Sequence, residues 1–145
     1  MDEFYGTYEH VIDGKGRLVL PATFRSAFAE GGVAAQVEDY AALFTTEEWE
    51  RYRRKLETAG VFDRDELLHM FSIVSPFEPD SQNRISLSQR LRDFTGLERE
   101  VAVVGSVRYL SVFSKEDWAR REAAIAQKAI DGNSLAAKFR ELPFL

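Results

Sequence analysis

At 145 residues the chain has room for one compact domain, or for two very small ones sharing a core. Its 45% hydrophobic and 30% charged residues suit an ordinary globular protein; the lack of cysteine excludes disulfides and thiolate metal sites, and His10 and His69 are too few for an all-protein zinc site. The formal charge of −5 argues mildly against nucleic acid, but charge acts where it sits: residues 13–25 and 80–92 each sum to +2, while Glu47, Glu48, Glu50 and Glu57 crowd elsewhere.

The N-terminal MDEFYGTYEH is acidic and polar, unlike a secretory leader, and no apolar stretch approaches the roughly 20 residues that span a bilayer. The expectation is a soluble, intracellular protein with no membrane contact. Tyr5–Ile12 leads into a polar turn, Asp13-Gly-Lys-Gly-Arg17, and then a short alternating strand, Leu18–Leu20. Pro21 suits the first position of a short helix in which Phe24, Ala27 and Phe28 are spaced for burial, and Gly31-Gly32 ends it. A hairpin of Val33–Val37 with Tyr40–Phe44 follows. Thr45, three residues before Glu48, predicts a capping box, and Trp49, Tyr52 and Leu56 make an i, i+3, i+7 stripe that reads as core in preference to a ligand platform. Arg51, Arg53, Arg54 and Lys55 interleave with acids, as a solvated face or a subunit contact would. Asp63–Phe71 reads as a further helix with Leu67, Leu68 and Phe71 inward.

The same order then repeats. Ile73–Pro79 approaches the turn Asp80-Ser-Gln-Asn-Arg84, which leads to Ile85-Ser-Leu87 and a short helix that Ser86 or Ser88 can cap, with Leu91 and Phe94 inward and Gly96 at its end. Val101–Val104 pairs with Tyr109–Phe113, and Ser114, three residues before Asp117, opens a helix carrying Trp118 and Ile125 on its apolar side. The chain breaks at Asp131-Gly-Asn133 and resumes over Ser134–Leu142. Asp13–Leu20 lies over Asp80–Leu87 at an offset of 67, pairing Arg25 with Arg92, and Leu43–Arg51 lies over Val112–Arg120 at 69. This is a duplication, with repeats at 4–60 and 70–125 and a helical tail at 126–145. No low-complexity linker separates the copies, so one pseudo-twofold domain is expected.

The Asp-x-x-x-Arg pattern is weak alone. A third copy, Asp117 to Arg121, falls on a predicted helix, where it reads as a surface ion pair. At 13–17 and 80–84 it comes each time as strand, turn, strand and helix. Gly16 aligns with Asn83, the residue types that best tolerate positive φ, so both turns are expected to need a left-handed residue before the arginine. Asp13 and Asp80 can accept backbone N–H bonds and hold the turns. Arg17 and Arg84 then either project a fork of donors toward phosphate or guanine, or simply close the turn onto the aspartate. Lys15 and Gln82, near the tips, could add a phosphate or base contact. No Ser-His-acid triad and no glycine-rich phosphate loop is present, and the acids lack clustering; no enzyme, cofactor, metal or small-molecule substrate is expected.

Phe4-Tyr-Gly-Thr-Tyr-Glu-His10, Asp13–Arg17, Leu20-Pro21, Phe24-Arg25, Asp80–Arg84, Leu91-Arg92, Gly96-Leu97, Val101–Gly105 and Tyr109 to Trp118 together resemble the MraZ family of the SpoVT/AbrB-like group. The resemblance covers about residues 4–125. It implies an α+β, β-rich fold in which two AbrB-like repeats form one pseudo-twofold double β-barrel-type domain with short flanking helices. It further implies subunits assembled in a ring, octameric or larger, and a cytoplasmic, nucleoid-associated regulator of transcription. Such a regulator would bind double-stranded DNA at short direct repeats ahead of a cell-division and cell-wall gene cluster that includes its own gene. The family's arginines implicated in DNA contact fall on Arg17 and Arg84. Ser88 stands in place of Pro21, Gln82 in place of Lys15, and the segment from about Ala126 has no counterpart in the pattern. The competing expectations are an oligomeric scaffold whose turns bind an acidic protein, and an AbrB-like antitoxin whose tail wraps a toxin.

Overall fold

In a computed structural model, residues 2–144 are described. Eight strands and five α-helices follow in chain order: β1 Thr7–Val11, β2 Arg17–Val19, β3 Gly32–Val37, β4 Tyr40–Phe44, α1 Thr46–Thr58, α2 Arg64–Ser72, β5 Ser75–Phe77, β6 Arg84–Ser86, α3 Gln89–Thr95, β7 Glu100–Gly105, β8 Leu110–Ser114, α4 Lys115–Ile130 and α5 Leu135–Phe139. The residues up to Ser114 make one compact unit and those from Lys115 a second, helical one.

The repeats are interlocked within the first unit. Six antiparallel strands lie in the order β1-β7-β8-β4-β3-β5, and β2 pairs with β6 in a separate two-stranded ribbon. Exchanging the repeats turns the six-strand order into its own reverse, so β1 of the first repeat closes against β7 of the second, and β5 against β3. The registers place the pseudo-dyad. Leu18 faces Ile85, its equivalent at an offset of 67, and Ala42 faces Ser111, its equivalent at 69. The axis runs through both pairs. Strand pairing does not close a barrel; the ribbon joins the large sheet through the two turns that precede β2 and β6.

Alternation along the strands separates two faces. One face of the large sheet (Ala34, Ala41, Leu43, Val101, Val103, Leu110, Val112) packs with Leu18, Leu20, Ile85 and Leu87 in the main core, which Phe4, Phe24 and Phe28 fill out with ring centroids 5.4–5.6 Å apart. On the other face Ala35, Ala42 and Phe44 are covered by Trp49 and Tyr52 of α1, with Phe44 and Tyr52 stacked at 4.9 Å. Leu56 completes the predicted stripe and is buried.

Several expectations need correction. The first repeat's short helix is a 3-10 turn at Ala22–Phe24 with Pro21 at its N-cap; proline has no side-chain acceptor for the free N–H groups, and none caps this end. Its counterpart α3 is a true helix because the Ser88 hydroxyl accepts from Leu91 N–H. Phe94 is half exposed, edge-on to His69 at 4.5 Å and beneath the Arg90 guanidinium, and Leu68 also faces out. Thr45 caps α1, but Glu48 does not return the bond; its carboxylate turns to Arg51 at 3.5 Å. A complete capping box, Asp63 with Glu66, opens α2. In the helical unit α4 holds no fully buried residue: Trp118 is half buried and Ile125 exposed. Asp117 and Arg121 do form the expected helical pair (3.1 Å).

Candidate nucleic-acid interface

Each turn before the ribbon is built by one carboxylate. Asp13 Oδ1 accepts the N–H groups of Lys15 and Arg17, both at 2.9 Å, and Oδ2 accepts Arg17 Nε at 2.8 Å. Asp80 repeats this with Gln82, Arg84 and Arg84 Nε at 2.9, 2.9 and 2.8 Å. The backbone also matches: Asp13 N–H donates to Arg17 O and Gly16 N–H to Asp13 O, as Asp80 N–H does to Arg84 O and Asn83 N–H to Asp80 O. Gly16 and Asn83 take φ of 75° and 58°, the left-handed values that bring the following arginine back over its aspartate. The carboxylates stay ionised. The Arg17 N–H above all, with the guanidinium and the Lys15 N–H, draws Asp13 down to about 2, and the corresponding bonds lower Asp80.

Closure onto the aspartate and presentation outward are therefore not alternatives for these arginines. Nε is committed to the turn, which fixes the guanidinium plane. The terminal nitrogens of Arg17 and Arg84 make no hydrogen bond among the described residues, although each side chain is about a quarter exposed (27% and 25%). Leu18 and Ile85 point into the core, so alternation puts Arg17, Val19, Arg84 and Ser86 on the ribbon's outer face. Arg17 pairs with Ser86 and Arg84 with Val19, so the dyad relates the two arginines across that face. Lys15 and Gln82 are exposed at the turn tips.

Arg25 and Arg92 sit at equivalent positions after the ribbon strands, and only their alignment was legible in the sequence. Arg92 Nε donates to Leu87 O (3.1 Å) and Arg25 Nε to Leu20 O (3.3 Å). Arg25 lies near enough to His10 to lower its pKa, after burial, which is the larger cause; His10 is half buried in β1 and neutral at pH 7. Arg51 and Arg53 of α1 and Arg120 and Arg121 of α4 differ in kind, each being paired with an acid on its own helix. Among the described residues no three His, Asp or Glu side chains come together as metal ligands would, and no helix is long and apolar enough to cross a membrane.

The family model described as "MraZ protein, putative antitoxin-like" matches the chain twice, over residues 4–69 and 70–141. The chain belongs to the MraZ family. The second match takes in most of the 126–145 segment. A protein of Thermomicrobium roseum named transcriptional regulator MraZ is 34% identical over 143 residues, covering 96% of this chain and 99% of its own length. Proteins of the same name from Acetivibrio thermocellus (29% identical; 96% and 98% covered) and Leifsonia xyli (34%; 85% and 92%) match similarly. Two matches to one family model agree with the duplication and with the dyad through Leu18–Ile85 and Ala42–Ser111.

Proposed function

We propose that this member of a family of transcriptional regulators binds double-stranded DNA through the outer face of the β2–β6 ribbon and its two turns. Arg17 and Arg84 carry the contact, Lys15 and Gln82 assist, and Asp13, Gly16, Asp80 and Asn83 shape the turns. The observation that carries this reading is the same turn built twice to within 0.1 Å in its carboxylate bonds, each time leaving the ends of a pre-oriented guanidinium uncommitted. Pre-orientation matters because a free arginine loses rotamer entropy on binding, whereas one held by Nε has already lost it. A two-stranded ribbon also suits the major groove. From Gly16 to Leu20 it spans about 13 Å at ~3.3 Å per residue, on the scale of the groove's ~12 Å width.

One chain offers too few phosphate contacts for tight binding at physiological salt, so the same reading calls for a homo-oligomer, a ring of eight or more subunits engaging short direct repeats. Exposed Ile125, Ile130, Leu135, Phe139 and Leu142 in the 126–145 tail and the helix before it supply apolar surface for assembly. The regulator would act in the cytoplasm at the nucleoid, on DNA ahead of its own gene and a cell-division and cell-wall cluster, through repeats at 4–60 and 70–125, without catalysis. Footprinting on the DNA upstream of its own gene, repeated at several salt concentrations, tests this. Protected direct repeats with salt-sensitive affinity support the reading. Absence of protection favours the scaffold or antitoxin alternative.

A further inference from the structure

Arg25 and Arg92 occupy equivalent positions, and each is tied to the turn of the opposite repeat. The link is two bonds long. Leu87 N–H donates to Gly16 O (2.9 Å), and Leu87 O accepts Arg92 Nε (3.1 Å). In the other half Leu20 N–H donates to Asn83 O (2.9 Å), and Leu20 O accepts Arg25 Nε (3.3 Å). At the first turn the approach is closer still. A Cβ on Gly16 would lie 2.6 Å from Arg92 Nη2 and 2.9 Å from its Cζ, so the guanidinium of the second repeat rests on bare backbone of the first. Neither arginine forms an ion pair with a carboxylate among the described residues. The carboxylate of each turn is already committed to the turn's own arginine and N–H groups, so these half-buried guanidiniums lack an anionic partner, which an arriving anion supplies.

We propose that Arg25 and Arg92 are further phosphate-binding residues, and that each DNA-binding turn is a composite of both repeats. Arg92 joins Asp13, Lys15 and Arg17; Arg25 joins Asp80, Gln82 and Arg84. The composites are unequal. The first carries +2 and the second +1, because Gln82 stands where Lys15 does. The first turn is therefore the stronger phosphate anchor, and the second depends on Arg25 for half its positive charge. This proposal rests on the DNA-binding reading above and extends it to residues outside the Asp-x-x-x-Arg motif.

The test uses the full chain and a labelled duplex from immediately upstream of its own gene, with anisotropy across a range of salt and melting curves alongside. Arg92→Ala is expected to weaken binding about tenfold or more at physiological salt, as loss of a charged hydrogen bond would. It should also flatten the salt dependence by about one unit for each first turn engaged. Arg25→Ala should do the same for the second turn. Arg92→Lys, which keeps charge but not the fork, should retain the wild-type slope. If Arg17→Ala loses affinity and slope while Arg92→Ala and Arg25→Ala match wild type, this proposal fails and the DNA-binding reading stands. The proposal fails in the same way if Arg92→Ala melts earlier but keeps its slope, since that is a structural role. If wild type shows no salt-dependent binding, or all the arginine variants bind as it does, both fail together.

Discussion

Replacing Gly16 by alanine separates two features that the turns combine. At φ 75° an alanine sits in the left-handed region, which costs about 1–2 kcal/mol, less a few tenths returned by stiffening of the unfolded chain. The new Cβ also meets the Arg92 guanidinium at 2.6 Å. That end of the side chain can move away, but moving it strains or breaks the Nε bond to Leu87 O, worth about 1 kcal/mol. The expected loss is about 2–3 kcal/mol, a drop in Tm on the order of 10 °C for a unit of this size. Asn83→Ala at φ 58° bears the backbone part alone, about 1 kcal/mol, because the second turn already accommodates a Cβ. Chemical denaturation of both variants, with Gly16→Ala repeated on an Arg92→Ala background, isolates the crowding. The double variant should recover about 1 kcal/mol relative to additivity. Equal losses for Gly16→Ala and Asn83→Ala, with no coupling to Arg92, would refute the packing of the second repeat's arginine on the first repeat's turn.

Trp49→Ala is expected to cost about 2–3 kcal/mol, less than the ~3–5 kcal/mol for a fully buried aromatic, because Trp49 is half buried against Phe44 and Tyr52 on the outer face of the sheet. It should leave the salt dependence of DNA binding unchanged, and a folded variant with an altered slope would move Trp49 into an interface. Asp13 has a folded pKa below its ordinary value near 3.8, so its contribution to stability is complete above about pH 4 and is lost as pH falls toward 2. Asp80 shifts in the same direction. An acid titration of Asp13→Asn should therefore be flatter between pH 4 and 2 than wild type, and an unchanged profile contradicts the assignment. Light scattering at micromolar concentration should give a mass larger than a dimer, and a monomer would sink the oligomer reading.

The duplication was the legible part of this fold, because blocks repeated in the same order at offsets of 67 and 69 leave correlated residues behind even where identity has faded. Gly16 and Asn83 declared a left-handed position since few other residues tolerate one, and Asp13 and Asp80 declared the turn because a short carboxylate beside free N–H groups has few other uses. What was hidden depends on long-range geometry. Nothing in the local pattern says that β1 closes against the other repeat's β7, and so nothing says that Arg92 crosses to the first turn. The use of Nε by Arg17 and Arg84 is likewise a matter of side-chain direction, which spacing leaves open. Phe94 and Leu68 read as inward by period, but α2 and α3 leave them at the surface, where Phe94 meets His69 and Arg90. Pro21 and Ser88 align, yet only serine can cap, and so one repeat has a helix where the other has a 3-10 turn.

If the paired turns grip DNA through guanidiniums held by their own aspartates, removing those guanidiniums must change how binding responds to salt. The most direct measurement is the salt dependence of binding to the chain's own upstream duplex, compared among wild type, Arg17→Ala, Arg84→Ala and the double variant, each verified as folded and assembled. Each substitution should weaken binding and flatten the slope of log affinity against log salt by about one unit for every phosphate no longer held, with the double variant near the behaviour on random duplex. A double variant that binds with wild-type affinity and wild-type slope contradicts this grip.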